Sequence, residues 1–373
     1  MSKKKIVSIT AGILITSLLL VIGGGTFLFN YFYFKMDITE PFIPEEVGVI
    51  GQVAQKEKES NIINIALVGM NSDGSTSKSR SDLVKVISLD MSDKLVKLTS
   101  IQPDMLVFIP DSDKKIDKLS HAYGNGEVQS ILTTLNYNFD LDITRYVAFN
   151  LDVIEAVIEL IDGIDLDIPE DELKIVNDNI QYLNNSSDTD SETSYLKTGG
   201  VQKLLGRQVM AYMRNSYENG NLTQIERQSK VMDAIIDKIM NESDMNLLAL
   251  LDACLPHIET NLTMNEMINL GLNILTFDLE KIDKLEITVL DSKDNLTGSK
   301  VNSSLDTLDN YQKLVRDVHA FIYNDTYYQT SKPMVDMWLL LEKNSDWVAT
   351  SSAGYFFRST SDNSVKNTGE LIE

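Results

Sequence analysis

Three β-rich runs follow one another between residues 62 and 101, and their spacing commits this part of the chain to a sheet. Residues 62–68 read Ile-Ile-Asn-Ile-Ala-Leu-Val and end at Gly69. Residues 83–89 alternate apolar and polar side chains, and residues 95–101 follow after Asp90-Met91-Ser92-Asp93, a hairpin signal. Between the first two runs lies Ser79-Arg80-Ser81-Asp82. A cation, a hydroxyl and a carboxylate therefore stand at a loop-to-strand junction, where function tends to collect. Arginine is rare: Arg80, Arg145, Arg207, Arg214, Arg227, Arg316 and Arg358 are all of it. In a chain of net charge −22, arginines near strand ends suggest a local anion pocket.

The amino-terminal end fixes the expected compartment. Lys3-Lys4-Lys5 precedes an uncharged run over residues 6–34, long enough to cross a bilayer as one helix. Phe27, Phe29, Tyr31, Phe32, Tyr33 and Phe34 read as an interfacial aromatic belt, and the lysines favour a short cytoplasmic tail over residues 1–5 with the main domain extracellular. A cleaved signal peptide is the competing reading, but the apolar run is too long and bulky aromatics replace the small residues of a cleavage site. The single cysteine, Cys254, excludes an intrachain disulfide framework and sits in a helical apolar pattern, as a small hydrophobe would. The acidity argues against nucleic-acid binding.

Residues 35–60, with Pro41, Pro44, Gly48 and Gly51, read as an extracellular stalk, and the folded part as starting near Asn61. Beyond it strands alternate with helices: helix over 128–135, strand over 143–149, helix over 153–161, strand over 164–168. Helices are predicted over 202–213, 225–240, 245–254, 264–275 and 305–323, with a late strand at 285–290. Residues 186–194 are polar and acidic and read as a surface loop. This predicts an α/β domain over 61–325 with a central mixed sheet flanked by helices. Residues 326–373 form an appendage without an assigned role. No Walker loop, dinucleotide fingerprint or zinc spacing is present.

Five segments, in order, carry a family resemblance. They are Asn64-Ile-Ala-Leu-Val-Gly69 with Ser79-Arg80-Ser81-Asp82; Ser100-Ile101-Gln102-Pro103-Asp104; residues 115–124, Lys-Ile-Asp-Lys-Leu-Ser-His-Ala-Tyr-Gly; residues 162–169, Asp-Gly-Ile-Asp-Leu-Asp-Ile-Pro; and residues 204–214 with Ile225-Glu226-Arg227-Gln228. Together with the anchor they resemble the LytR-CpsA-Psr family. The resemblance implies an extracytoplasmic phosphotransferase that moves a glycopolymer, such as a teichoic acid, from a polyprenyl pyrophosphate carrier to peptidoglycan. It also implies an apolar pocket for the lipid and an arginine-lined mouth for the pyrophosphate.

Breaking a pyrophosphate builds charge on its oxygens, which arginine forks and Mg²⁺ stabilise. On the resemblance, Arg80 binds phosphate, Asp82 coordinates Mg²⁺ or positions the attacking hydroxyl, and Asp104 fixes an arginine across the pocket. Arg214 and Arg227 are pyrophosphate ligands with Gln228 in support, and Asn71 shares the metal with Asp82. Read without it, Arg80–Asp82 is a surface ion pair, Asp104 a turn residue, and Arg227 a helix-end cation paired with Glu226 or other acids. Some positions depart from the family pattern: Asn71 and Asp73 stand where Asp and Arg are usual, Pro103 replaces an arginine, and Ser216, Asn221 and Gln224 replace charged residues. Lys78, Lys85 or Lys115 are the candidate replacements for lost charge, as point charges without the fork. His121 reads as a packing or hydrogen-bonding residue. Two functions stay open: an active ligase with a trimmed site, and a catalytically weak relative that binds polyprenyl pyrophosphate or a partner. Transcriptional control, which the family's name suggests, fits an acidic external domain least.

Overall fold

The computed structural model describes residues 30–49, 51, 53–71, 80–113, 115–150, 152–186, 193–214, 224–241, 247–274, 276–277, 281–289, 308–344, 355–359 and 364–367. In chain order the strands are β1 (Asp37–Ile38), β2 (Ile62–Asn71), β3 (Arg80–Asp90), β4 (Leu95–Ile101), β5 (Leu106–Phe108), β6 (Ile116–Lys118), β7 (Arg145–Asn150), β8 (Ile164–Ile168), β9 (Gly200–Leu204), β10 (Ile258–Thr260), β11 (Ile282–Val289), β12 (Tyr355–Ser359) and β13 (Ser364–Asn367). The helices are α1 (Lys56–Ser60), α2 (Leu119–Phe139), α3 (Asp152–Leu160), α4 (Leu173–Ser186), α5 (Gly206–Met213), α6 (Gln224–Asn241), α7 (Leu247–Cys254), α8 (Met264–Ile274), α9 (Leu308–Tyr323) and α10 (Lys332–Asn344).

The main sheet has the order β1-β10-β7-β2-β3-β4-β11-β12-β13 among the described residues. The β2–β3–β4 meander is its centre, and the predicted hairpin pairs Asp90 with Leu95. β7 runs parallel to β2 and β11 parallel to β4, so the sheet is mixed, as expected. One face is sealed. Ala66, Val68, Val84, Val86 and Ile287 pack with Ile131, Leu135, Leu314 and Val318 from α2 and α9 in one cluster. The opposite face is divided. Leu83 and Phe149 join residues of α3, α5 and α6, whereas Ile65, Leu89 and Val96 join Leu262 and Phe277, with α8 alongside. Ile63, Leu67, Ile87 and Leu98 on this face stay only half-buried, although β2, β3 and β4 are inner strands.

Two boundaries differ from those the composition suggests. The chain is already part of the folded body at Asp37, which pairs with Glu259. Val47, Val49 and Val53 lie in the main core, and Lys56 bonds Asp325 at 2.7 Å. Three valines set among Pro, Gly and Glu are enough to dock a segment that reads as a stalk. At the other end Met334, Met337 and Trp338 of α10 also enter that core, so this helix, expected to lie in an appendage, belongs to the folded body. The helix expected over 202–213 starts only at Gly206, because residues 200–204 pair with β8. A Cβ on Gly206 would stand 2.5 Å from the Glu155 carbonyl, so the glycine permits close contact between α5 and α3. No helix among the described residues is long and apolar enough to cross a membrane; residues 6–29 of the apolar run lie outside them, as do most of 186–194.

His319 ties α9 to the core. It is fully buried, stacks on Tyr328 with ring centroids 3.5 Å apart, and has Nε2 3.0 Å from the Phe139 carbonyl. Burial pushes its pKa down to about 4. The neutral ring is favoured when folded, so its contribution is complete above about pH 6.5 and is lost as the pH falls towards 4. Relative to His319→Gln, the wild type should lose about 3 kcal/mol of its advantage between pH 7 and pH 4, measured by urea unfolding. A pH-independent difference would refute this.

Candidate active site at the carboxyl edge of the sheet

β2, β4, β7 and β11 are mutually parallel and β3 opposes them, so four carboxyl ends and the amino end of β3 meet along one edge. Ligands of open α/β sheets bind outside such an edge. A β-bulge shapes it. Gly69 pairs with Leu83 and Met70 with Ser81, which leaves Asp82 as the extra residue. Bulges re-aim side chains and bend the strand locally. Asp82 is half-buried here, Arg80 is exposed, and Ser81 is fully buried with no hydrogen-bond partner for Oγ among the described residues. Asn71 pairs with Arg80 in the strand register, which puts both at the rim; the Asn71 side chain is not among those described.

The second stretch arrives on α6. Gln228 Nε2 donates to the Asp82 carbonyl at 2.9 Å, across 146 positions of sequence. Gln228 thereby braces the bulge. Arg227, its neighbour, is fully buried and pairs with Glu172, also fully buried, through Nε to Oε2 at 3.1 Å and Nη2 to Oε1 at 2.7 Å. The guanidinium also lies 5.9 Å from the centroid of the Tyr212 ring. Tyr212 belongs to α5, whose carboxyl end is capped by the half-buried Arg214. Packing of α5 and α6 thus sets Arg227 over Tyr212 while its neighbour Gln228 reaches Asp82. Glu172 is the site residue that sequence reasoning missed. Its only signal is an acidic triplet after Pro169, in which nothing distinguishes one carboxylate from the others.

The third stretch follows β4. The pairing of Val84 with Ile101 sets Pro103-Asp104 beside the start of β3. Pro103 is buried, and its carbonyl accepts from Ser120 N at 2.8 Å. Asp104 faces Lys118 at 2.8 Å; both side chains are about half exposed, so the pair is worth at most about 1 kcal/mol. The arginine that Asp104 is expected to fix is thus replaced by a lysine. His121 Nδ1 lies 2.8 Å from Asp117 Oδ1, the hydrogen-bonding role expected of it. Of the candidate replacement cations, Lys85 is 2% exposed and donates to Ser100 Oγ at 2.7 Å; burial lowers its pKa to about 8. Lys115 turns to the Pro110 carbonyl, and Lys78 lies outside the described residues, as do Asp73, Ser216 and Asn221.

The described residues contain no cluster of three acidic, histidine or cysteine side chains able to hold a metal alone. Mg²⁺ does not need one, since it is commonly held by one or two carboxylates together with substrate phosphates. Asp82 at the bulge fits that mode.

Comparison with known proteins agrees with this architecture. The model of the LytR_cpsA_psr family matches residues 35–316. The polyisoprenyl-teichoic acid–peptidoglycan teichoic acid transferase TagU of Enterococcus faecalis is 30% identical over 293 residues, which are 77% of this chain and 90% of that protein. TagV of Bacillus subtilis, named for the same activity, is 28% identical over 63% of this chain and 58% of its own length. Among solved structures, B. subtilis TagV superposes with a TM-score of 0.51 at 23% identity, covering 70% of this chain and 97% of that one. TagT bound to LI-WTA also gives 0.51, at 21% identity and with 70% and 90% coverage.

Proposed function

As the chain belongs to the LytR_cpsA_psr family, we propose that it transfers a glycopolymer of the teichoic acid type from a polyprenyl pyrophosphate carrier to peptidoglycan. The Gln228–Asp82 bond carries this proposal, because it joins the Arg80–Asp82 bulge to the helix bearing Arg227. The names of the transferases related to this chain support the choice of substrates.

In this reading the acceptor hydroxyl of peptidoglycan attacks the sugar-linked phosphorus. A phosphodiester bond forms, the P–O–P bridge breaks, and the polyprenyl monophosphate leaves. Asp82 takes or orients the hydroxyl proton. Arg80 and Arg214 clamp the diphosphate oxygens, and Arg227, fixed by Glu172, contributes positive charge from behind them. Asp104 holds Lys118 at the rim. Asp82, with Asn71, would hold Mg²⁺, which neutralises developing phosphate charge when bound. The divided, half-buried face around Leu67, Ile87 and Leu98 offers apolar surface for the prenyl chain. Residues 6–34 anchor the domain beside the membrane that carries this lipid, with the amino terminus inside.

Arg80→Ala should weaken binding of a polyprenyl diphosphate by about tenfold or more, through loss of a charge-assisted contact. Tryptophan fluorescence titration of full-length protein in nanodiscs measures it, and unchanged affinity would end the assignment.

A further inference from the structure

The chain enters the main sheet at the edge that carries the candidate site. β1 runs parallel to β10, and β10 antiparallel to β7, with Asp37 paired to Glu259 and Ile258 to Phe149. Phe149 stands next to Asn150, which ends β7 at the carboxyl edge. The residues just before Asp37 therefore leave the sheet at the same edge as Arg80 and Asp82. In the order β1-β10-β7-β2-β3, β1 and β3 are about 19 Å apart along it.

α7 lies beside this entry point. Its sequence, Leu-Leu-Ala-Leu-Leu-Asp-Ala-Cys, holds one charge, Asp252, in a chain of net charge −22. Leu250 is buried with Val153 and Ile154 of α3, whereas Leu248 is 55% exposed. Positions i and i+4 share a helix face, so Leu248 stands beside Asp252. Lys35 Nζ and Tyr31 Oη both donate to Asp252 Oδ1, the tyrosine at 3.1 Å. The Lys35 ammonium also lies 4.6 Å from the centroid of the Tyr31 ring. The turn over residues 30–35 is thereby latched to the outer face of α7. Phe34 in that turn is 75% exposed and Tyr31 46%. An apolar and aromatic surface thus runs across two elements, and the acid of α7 within it is covered by a lysine.

We propose that this surface rests on the lipid bilayer and holds the carboxyl edge of the sheet at the level of the headgroups. The inference rests on the anchor and the carrier lipid of the proposed function. Continuity fixes the occupant. The uncharged run over residues 6–34 ends at Lys35, whose ammonium holds Asp252, so the bilayer that takes the run meets α7 at once. Exposed aromatic side chains are favoured at that depth. The orientation also decides access to the lipid. β2 has 10 residues and is about 33 Å long. A site at the opposite edge would require the prenyl chain to be drawn into water, at about 0.8 kcal/mol per methylene. With the carboxyl edge towards the bilayer, the diphosphate reaches Arg80 from the headgroup layer while its chain passes onto the divided face.

Nitroxide labels on single cysteines of full-length protein in phosphatidylcholine–phosphatidylglycerol nanodiscs measure this, through relaxation by oxygen against a water-soluble nickel chelate. In a Cys254→Ala background, labels at Leu248→Cys and at His257→Cys, exposed just before β10, should respond mainly to oxygen. A label at Tyr327→Cys should respond mainly to nickel. Tyr327 is 88% exposed and follows Asp325, which bonds Lys56 near the start of β2 at the opposite edge. Leu248→Glu should slow capture of bilayer-embedded polyprenyl diphosphate about tenfold and leave binding of water-soluble geranyl diphosphate unchanged. Labels at Leu248 and His257 open to nickel in an anchored chain overturn the proposal. Shielding of Leu248 from both relaxants with spin–spin broadening, the mark of a second copy, does so too, as does an unchanged capture rate in Leu248→Glu. Release of the chain from membranes by alkaline carbonate overturns the anchor and the docked face together. Labels at bilayer depth on a chain that binds no diphosphate support the docked face and overturn the transferase reading alone.

Discussion

Glu172→Ala is expected to lower the unfolding free energy by about 3–5 kcal/mol, the cost of leaving a buried charge unpaired. Arg227 and Glu172 are both fully buried, and each holds the other through two hydrogen bonds. Loss of the carboxylate leaves the guanidinium in low dielectric between α6 and the turn after β8, where water cannot replace the lost partner. Replacing both groups by apolar residues of similar size is often neutral or stabilising. Glu172→Leu with Arg227→Met should therefore recover most of the stability. If Arg227 also lends charge to the diphosphate site, the recovered fold should still bind polyprenyl diphosphate weakly. Thermal unfolding and the lipid titration on the same variants separate the two roles. A single-variant loss below about 1 kcal/mol would show that the pair is not buried as described.

The central strands were legible because each segment declares itself locally. Residues 62–68, 83–89 and 95–101 carry the alternation and the turn chemistry within or beside their own length, and they pair as that pattern requires. What escaped was placement that depends on few side chains or on distant partners. Val47, Val49 and Val53 look incidental in a Pro- and Gly-containing stretch, yet all three are buried. Met334, Met337 and Trp338 stand at i, i+3 and i+4, a helical period that passes unnoticed in a short segment bounded by polar residues. In the candidate site, Arg80, Asp82, Arg227 and Gln228 were singled out through motif resemblance, and the bond of Gln228 to the Asp82 carbonyl follows from the bulge and α6. Glu172 had no such signal, since its meaning comes only from Arg227, 55 positions away.

Asp82→Asn should reduce transfer of a lipid-linked polymer to peptidoglycan by about 10²–10³ while leaving polyprenyl diphosphate binding within a few-fold of wild type. The asymmetry follows from the proposed roles. Neutral asparagine fills the same space at the bulge but cannot accept the acceptor proton, whereas the lipid is held chiefly by guanidinium groups and apolar surface. Gln228→Leu offers the graded counterpart. It removes the bond to the Asp82 carbonyl without touching the carboxylate, so it should displace Asp82 and lower kcat by about tenfold with less effect on KM, as loss of positioning does. If instead Asp82→Asn abolished lipid binding and left residual transfer in proportion to occupancy, Asp82 would be a ligand for the ground state. The bulge would then serve binding, and the proton acceptor would have to be sought among the neighbouring groups.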